Sequence, residues 1–297
     1  MVTSDPAPAS DPTRASDHTH TTGASEGFDE LFLGPSCPLP ARADAAAGRS
    51  IRRLDYTHFS VLLDTGRRLA ALTGVNIDGR LLRDVPRGDD WHLDPRVPAE
   101  EQAGPELYSR NDLDRGHLVR RRDPVWGTDA VAARAEYDTF AYTNAAPQAA
   151  AFNQSKELWN GLEDHVLAYA EAYRLRLDVF TGAVFADDDR LYRGVQLPKR
   201  FWKIAAWYDT GRERLAAAGF LLDQSNELDR IDLRSAQATD APPPLPGFRT
   251  FQVPIADIAR DTGFDLTQLV AADVFLAPLR AAGRRWTTLD DPGQIRL

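Results

Sequence analysis

Short runs of β-branched and aromatic residues, set between turn-forming residues, dominate the pattern of this chain, and one longer stretch repeats with a helical period. Tyr56 to Leu63 (YTHFSVLL) predicts a strand, Asp64-Thr65-Gly66-Arg67 a turn, and Arg68 to Val75 (RLAALTGV) a second strand that completes a hairpin. Asn76-Ile77-Asp78-Gly79 reads as a further turn, and the polar stretch from there to Leu113 as irregular. Phe140 to Thr143 predicts a short strand, followed by a proline-punctuated loop from Asn144 to Gln148. Ser155 to Arg174 is the strongest helix, with Leu158, Leu162, Val166 and Tyr169 on one face. Leu177 to Thr181, ended by Gly182, then Trp202 to Trp207, Ala218 to Leu222 and Phe251 to Ile255 read as strands. Ile255 to Arg260 and Asp265 to Val270 read as helical. Gly27 to Ala43 is punctuated by Pro and Gly and is expected to run along the surface; Ser235 to Gly247 is a proline-rich loop. No internal repeat is present. Strands on both sides of one strong helix, without a βαβ rhythm, predict an α+β fold around a mostly antiparallel sheet.

Composition adds boundaries. Met1 to Ser25 is a Pro/Ser/Thr/Asp stretch that cannot bury a core, so residues 1–26 are expected to be a disordered tail and 27–297 one domain. The 297 residues, 43% hydrophobic and 27% charged, are those of an ordinary globular protein. No run of ~18 apolar residues predicts a membrane span. The N-terminus lacks the basic start and apolar run of a secretory signal, which leaves a cytoplasmic location or a non-classical route of export. Cys37 is the only cysteine, which excludes an intramolecular disulfide and a cysteine-type zinc cluster. His18 and His20 read as solvated residues of the tail. The formal net charge of -9 argues against a nucleic-acid partner, yet positive charge is concentrated. The only lysines are Lys156, Lys199 and Lys203, and arginines cluster at Arg115, Arg120, Arg121 and Arg122. Local field counts for more than the total.

That cluster adjoins Asp114-Arg115-Gly116-His117. Phosphodiester cleavage needs a base for water, and histidine suits it with an ordinary pKa of ~6.5. It also needs a cation for the charge that grows at phosphorus, which a hard divalent ion or an arginine can supply. On an extended strand, positions two apart share a face, so Arg115 and His117 can address one phosphate while Gly116 permits close approach. Alone, the four residues read more readily as a chance string in a loop. Further along, Asn144 to Glu163 reads NAAPQAAAFNQSKELWNGLE. The amide oxygen of Asn153 is a hard ligand for a hydrated Mg²⁺, or else an ordinary helix N-cap. Glu163 is able to accept hydrogen bonds from metal-bound water, or is a solvated helix carboxylate.

Taken together, Asp114-Arg115-Gly116-His117 and Asn144-x-x-Pro147-Gln148-x-x-x-Phe152-Asn153-Gln154 with Trp159-x-x-Leu162-Glu163 resemble the DNA/RNA non-specific endonuclease family, the Serratia nuclease and endonuclease G group within the ββα-metal (His-Me finger) superfamily. Leu54-Asp55-Tyr56-Thr57-His58-Phe59-Ser60, Val75 to Gly79, Val179 to Gly182 and Phe201-Trp202-Lys203 are similar to further landmarks, so the resemblance runs from about Gly27 to Gly263. It implies an endonuclease that hydrolyses phosphodiester bonds in DNA and RNA and leaves 5′-phosphates. His117 is implied as general base, Asn153 as the one protein ligand of a Mg²⁺ that Mn²⁺ can replace, Arg115 as a phosphate contact and Glu163 as the holder of metal-bound water. Arg87, four residues before Trp91, is the candidate for a further arginine. Arg120, Arg121, Arg122 and Lys203 are assigned to nucleic acid, and Asp114 and Asn144 to support of the site. Asn153 and Glu163 stand ten positions apart, two more than the family pattern implies, and two positions turn a helix by ~200°. Either Ser155-Lys156 is a small insertion or Glu157 takes the role; the Trp159-x-x-Leu162-Glu163 spacing favours Glu163. An inhibitor protein and a homodimer are the further partners considered. The rival readings are a catalytically silent nucleic-acid-binding or interaction module on the same fold, and a toxin or defence nuclease with substrate preference.

Overall fold

Long apolar runs, more than simple alternation, mark the central strands: β3 below is buried at all ten of its positions, which requires cover on both faces of the sheet. The computed structural model describes residues 26–42, 50–149, 159–230, 249–275, 286–289 and 294–295. In chain order its first elements are β1 (Ile51–Tyr56), β2 (Phe59–Asp64), β3 (Leu69–Asp78), α1 (Pro105–Tyr108), β4 (Leu113–His117), α2 (Asp129–Thr139), β5 (Ala145–Ala149) and α3 (Trp159–Tyr173). There follow β6 (Arg176–Val184), β7 (Arg190–Tyr192), β8 (Val195–Leu197), β9 (Arg200–Asp209), β10 (Arg214–Asp223) and α4 (Ser225–Arg230). The last are β11 (Arg249–Val253), α5 (Ile255–Thr262), α6 (Thr267–Ala271) and β12 (Thr287–Leu289). Eight strands form one sheet in the order β1-β2-β3-β6-β9-β10-β11-β12, with every neighbouring pair antiparallel. β4 and β5 form a separate two-stranded ribbon.

Period-2 alternation along β9 shows how the sheet divides two cores. Phe201, Ala205 and Trp207 face the side that carries Leu162, Val166, Leu167 and Ala170 of α3 together with Leu118 and Ala146. Trp202, Ile204 and Ala206 face the side that carries Phe28, Phe32, Cys37 and the α5 residues Ile255 and Ile258. The ribbon and α3 thus lie on one face, with the backbone N–H of Gly79 donating to Leu175 O (2.9 Å) to join the end of β3 to the end of α3.

The α+β class and the antiparallel sheet agree with the sequence reading; several local expectations do not. Tyr56 to Leu63 is two strands, because the chain reverses at Thr57 and His58, the latter at φ 67°, and pairs Tyr56 with Phe59. Asn76 to Asp78 belong to β3: the Asn76 side chain, fully buried, donates to Asp178 Oδ1 (2.7 Å) and accepts from Asp29 N (2.8 Å), bonds that replace a turn. The loop expected at Asn144 to Gln148 is β5; its Pro147 is tolerated because a two-stranded ribbon leaves each strand an open edge. The strand expected at Phe140 to Thr143 is instead a turn running into a 3-10 helix at Tyr142–Asn144. β6 continues through Gly182 to Val184. In the segment expected on the surface, Phe28, Phe32, Leu33 and Cys37 are buried. Helix α2 was not anticipated: its sequence, DAVAARAEYDT, has no apolar stripe, and its start is marked by Thr128, whose hydroxyl accepts from Val131 N. The expected tail up to Ser25, the loop from Ser235 to Gly247, and Asn153 and Glu157 lie outside the described residues. Among the described residues, no helix is long and apolar enough to cross a membrane.

Candidate active site

The site is built on β4. Its register sets Arg115 opposite Pro147 and His117 opposite Ala145. Arg115 and His117 share a face, as their spacing requires, and both meet Trp91: the Arg115 guanidinium carbon stands 5.1 Å from the Trp91 ring centre and the His117 ring 4.7 Å from it. Phe140 meets His117 edge-on at 5.1 Å, and Tyr142 backs Trp91 at 5.6 Å. On the opposite face of β4, a Cβ at Gly116 would lie 2.1 Å from the Gln148 side chain, so only glycine lets that buried amide cross the strand. Asp114 pairs with Gln148 across the ribbon.

Directly after His117 the chain is fixed by Asn144, which is fully buried. Its Oδ1 accepts from Val119 N (2.8 Å), and its Nδ2 donates to Val119 O and Thr139 O (both 2.9 Å). Its backbone carbonyl accepts from Leu118 N (3.0 Å). Four bonds therefore lock the exit of β4.

His117 is partly exposed, but its Nε2 is sealed from solvent and has no hydrogen-bond partner among the described residues. Burial, with the positive charges of Arg87, Arg121 and Arg115 adding to it, pushes the imidazole down to about 3. At neutral pH the ring is uncharged and can accept a proton, in surroundings that favour an anion. Arg87 is exposed. Arg115 keeps 38% of its side chain exposed, with Asp89 no nearer than 4.0 Å.

The remaining arginines are committed differently. Arg120 pairs with Asp164 and stands 3.7 Å from Glu163 Oε2. Arg121 donates to Val85 O (3.3 Å) and stands 3.5 Å from Glu136 Oε1. Arg122 is half-buried on the same loop. Lys203, expected on nucleic acid, corrects that expectation. It occupies a β9 position on the α3 face, is 1% exposed, and its Nζ lies 3.2 Å from Glu163 Oε1. Period-2 alternation beside Trp202 forces it inward, where a carboxylate meets it. Glu163, in the first turns of α3, is buried between these two cations. Nearby, burial pushes the Asp123 carboxyl up to about 6 despite the opposing pull of Lys203 and Arg120. Among the described residues, no group of three or more His, Cys, Asp or Glu is placed to hold a metal ion.

A family model described as "DNA/RNA non-specific endonuclease" matches residues 42–273. The chain belongs to the DNA/RNA non-specific endonuclease family. This family is one of divalent-metal-dependent nucleases. A Sinorhizobium fredii protein, "Uncharacterized protein y4fB", is 38% identical over 305 residues, covering 94% of this chain and 44% of the relative. A "Nuclease" of Nostoc sp. is 28% identical over 130 residues, covering 43% of this chain and 44% of the relative. The chain thus spans under half the length of each of these curated relatives. A solved structure described as "Crystal structure of the EndoG/EndoGI complex: Mechanism of EndoG inhibition" superposes with a TM-score of 0.54 at 19% identity, covering 74% of this chain and 86% of that one. At that identity the likeness shows the fold, a ββα-metal fold with an antiparallel sheet core.

Of the residues singled out in the sequence, Arg115 and Arg87 act on His117, Asn144 fixes the chain after it, and Glu163 stands instead with Lys203 and Arg120. Sequence reasoning missed the aromatic wall of Trp91, Phe140 and Tyr142, and it missed Glu136 and Asp123. Phe140 to Tyr142 carried a signal as an apolar run beside the motif. Glu136 carried none, because the helix that presents it has no periodic apolar face.

Proposed function

We propose that the chain is a metal-dependent, sequence-non-specific endonuclease that hydrolyses phosphodiester bonds in DNA and RNA. The observation that carries this reading is the uncharged His117, its Nε2 without a hydrogen-bond partner among the described residues and its ring ringed by Arg87, Arg115 and Arg121. A phosphodiester placed beside the exposed Arg87 and Arg115 brings an anion to the two arginines that, among the described residues, no carboxylate approaches closer than 4.0 Å. Water at Nε2 gives its proton to His117, its oxygen bonds to phosphorus, and the bond from phosphorus to the 3′ oxygen breaks; that oxygen takes a proton from water, leaving a 3′-hydroxyl and a 5′-phosphate. Arg115 and Arg87 stabilise the charge that gathers on the phosphoryl oxygens. Trp91 fixes the planes of Arg115 and His117 so that both address one group.

The donor chemistry fits a hydrated divalent cation. Asn153 offers an amide oxygen and Glu163 a carboxylate flanked by Lys203 and Arg120, hard donors suited to Mg²⁺ or Mn²⁺. We assign Asn153 as its ligand and Glu163 as the acceptor for its waters; when bound, the ion neutralises charge at phosphorus and on the leaving oxygen. Residues 27–297 are taken as the nuclease unit.

The test is digestion of plasmid, single-stranded DNA and RNA, with and without EDTA. The wild-type protein should give an EDTA-sensitive smear on all three. His117→Ala should cut about 10²- to 10⁴-fold more slowly while keeping the wild-type melting temperature. Undiminished cutting by folded His117→Ala would overturn the role of the histidine, and discrete bands would overturn the lack of sequence preference.

A further inference from the structure

Helix α2 buries a carboxylate that its packing alone does not call for. Ala132, Ala135, Asp138 and Thr139 are also buried; Asp138 is held by the backbone N–H and hydroxyl of Thr57 and by Arg134, whereas Glu136, 6% exposed, faces a different set of partners, and burying a carboxylate without partners is costly. Its partners come from two separate segments. Glu136 Oε1 accepts the backbone N–H of Gly88 at 2.8 Å, and Arg121 Nη1 stands 3.5 Å from the same oxygen. A Cβ at Gly88 would lie 3.1 Å from Glu136 Oε2, so the segment approaches the carboxylate through a residue without a side chain. Arg121 also donates to Val85 O (3.3 Å), which closes a small ring of contacts among Val85, Gly88, Arg121 and Glu136.

Arg87 lies inside that ring, between Val85 and Gly88 in sequence. Arg87 and Arg121 are the first two charges that act on His117 after its burial. The exposed Arg87 side chain sits on a stretch without helix or strand structure, so its aim depends on where its backbone is tied. We infer that Glu136 is a positioning residue: it clamps the Arg87 segment to the Arg121 loop and so sets the arginine frame around His117. The inference rests on the nuclease reading above. Glu136 does not touch the reacting atoms; it acts through Arg87. It also gives Arg121 a protein counter-charge, which directs that guanidinium to the frame rather than to a phosphate.

A double-mutant cycle on the full chain tests this. Glu136→Ala should lower kcat on a fluorogenic oligonucleotide roughly 10- to 100-fold, the scale of a small misplacement of a catalytic group. Glu136→Gln, which keeps an acceptor for Gly88, should recover most of that loss. In an Arg87→Ala background, Glu136→Ala should cost less than about twofold, because the pathway is already gone. Equal losses in both backgrounds, or an unchanged kcat in folded Glu136→Ala, would overturn the proposal. A second readout needs no activity. The Gly88 amide should exchange with solvent faster in Glu136→Ala than in wild type and near the wild-type rate in Glu136→Gln; equal exchange in all three would overturn the clamp. Failure of the wild-type protein to cleave would sink the nuclease reading instead, and the amide exchange would still decide the clamp.

Discussion

At the residue scale, the pair of Lys203 and Glu163 shows how one side chain can look like a ligand contact in sequence and serve as a counter-ion in the fold. A lysine next to a tryptophan in a basic protein surface would reach for phosphate; this one is pinned under α3 by a carboxylate 3.2 Å away. Removing one partner of a buried pair leaves the other charge poorly compensated, which typically costs several kcal/mol. Lys203→Met should therefore destabilise the protein by about 3 kcal/mol in urea unfolding. Arg120, 3.7 Å from the other Glu163 oxygen, keeps the loss below complete unfolding. A change below about 1 kcal/mol would show that the pair is not coupled to folding.

At the scale of elements, the β4–β5 ribbon carries the residues proposed for the chemistry, and its register depends on the absence of a side chain at residue 116. A methyl there would meet the Gln148 side chain, which is itself buried. Gly116→Ala should destabilise by about 1 to 3 kcal/mol, as overpacking does, and should lower kcat by moving Arg115 and His117 together. Shortening the obstacle in Gly116→Ala/Gln148→Ala should give back part of both, measured by melting and digestion in parallel. Only part of this was legible in advance, since β5 reads as a loop in the sequence. Two-residue spacing put Arg115 and His117 on one face, and turn residues marked the hairpin of β2 and β3. What could not be read depended on contacts far apart in sequence. Asn76 looks like a turn residue until Asp178 and Asp29 bond to it, and Pro147 looks like a loop residue until the ribbon proves to have open edges. His58 hides a reversal inside an apolar run by adopting a left-handed backbone. Helix α2 is held by alanines and carboxylates, which leave no periodic trace.

For the molecule as a whole, the same sheet that supports the site also sets an acid limit. His58 is fully buried, stacks on Trp126 at 3.4 Å, and burial pushes its imidazole down to about 4. Above its ordinary value of ~6.5 both folded and unfolded states hold it neutral and stability is full. Between ~6.5 and about 4 the unfolded chain takes a proton that the folded one refuses, so stability falls with pH, by on the order of 3 kcal/mol in all. Asp123, raised to about 6, works in the opposite direction over an overlapping range, so total stability conceals both effects. The difference between wild type and His58→Asn isolates one of them, and asparagine tolerates the positive φ. The advantage of the wild type over that variant should shrink by about 3 kcal/mol from pH 7 to pH 4 in urea titrations. A constant difference would remove His58 from the balance.

Cys37 lies on the far face of the sheet from His117, 1% exposed, with burial and the neighbouring Asp178 holding its thiol well above the usual range. As the only cysteine in the chain, it makes the protein its own clock. A thiol reagent added to the native protein should find nothing to modify until the core opens, and modification should then proceed in step with that opening. The slow rate of labelling would report how often the molecule unlocks, without any added probe. Destabilising Lys203→Met on the opposite face should speed it, because both cores share one sheet.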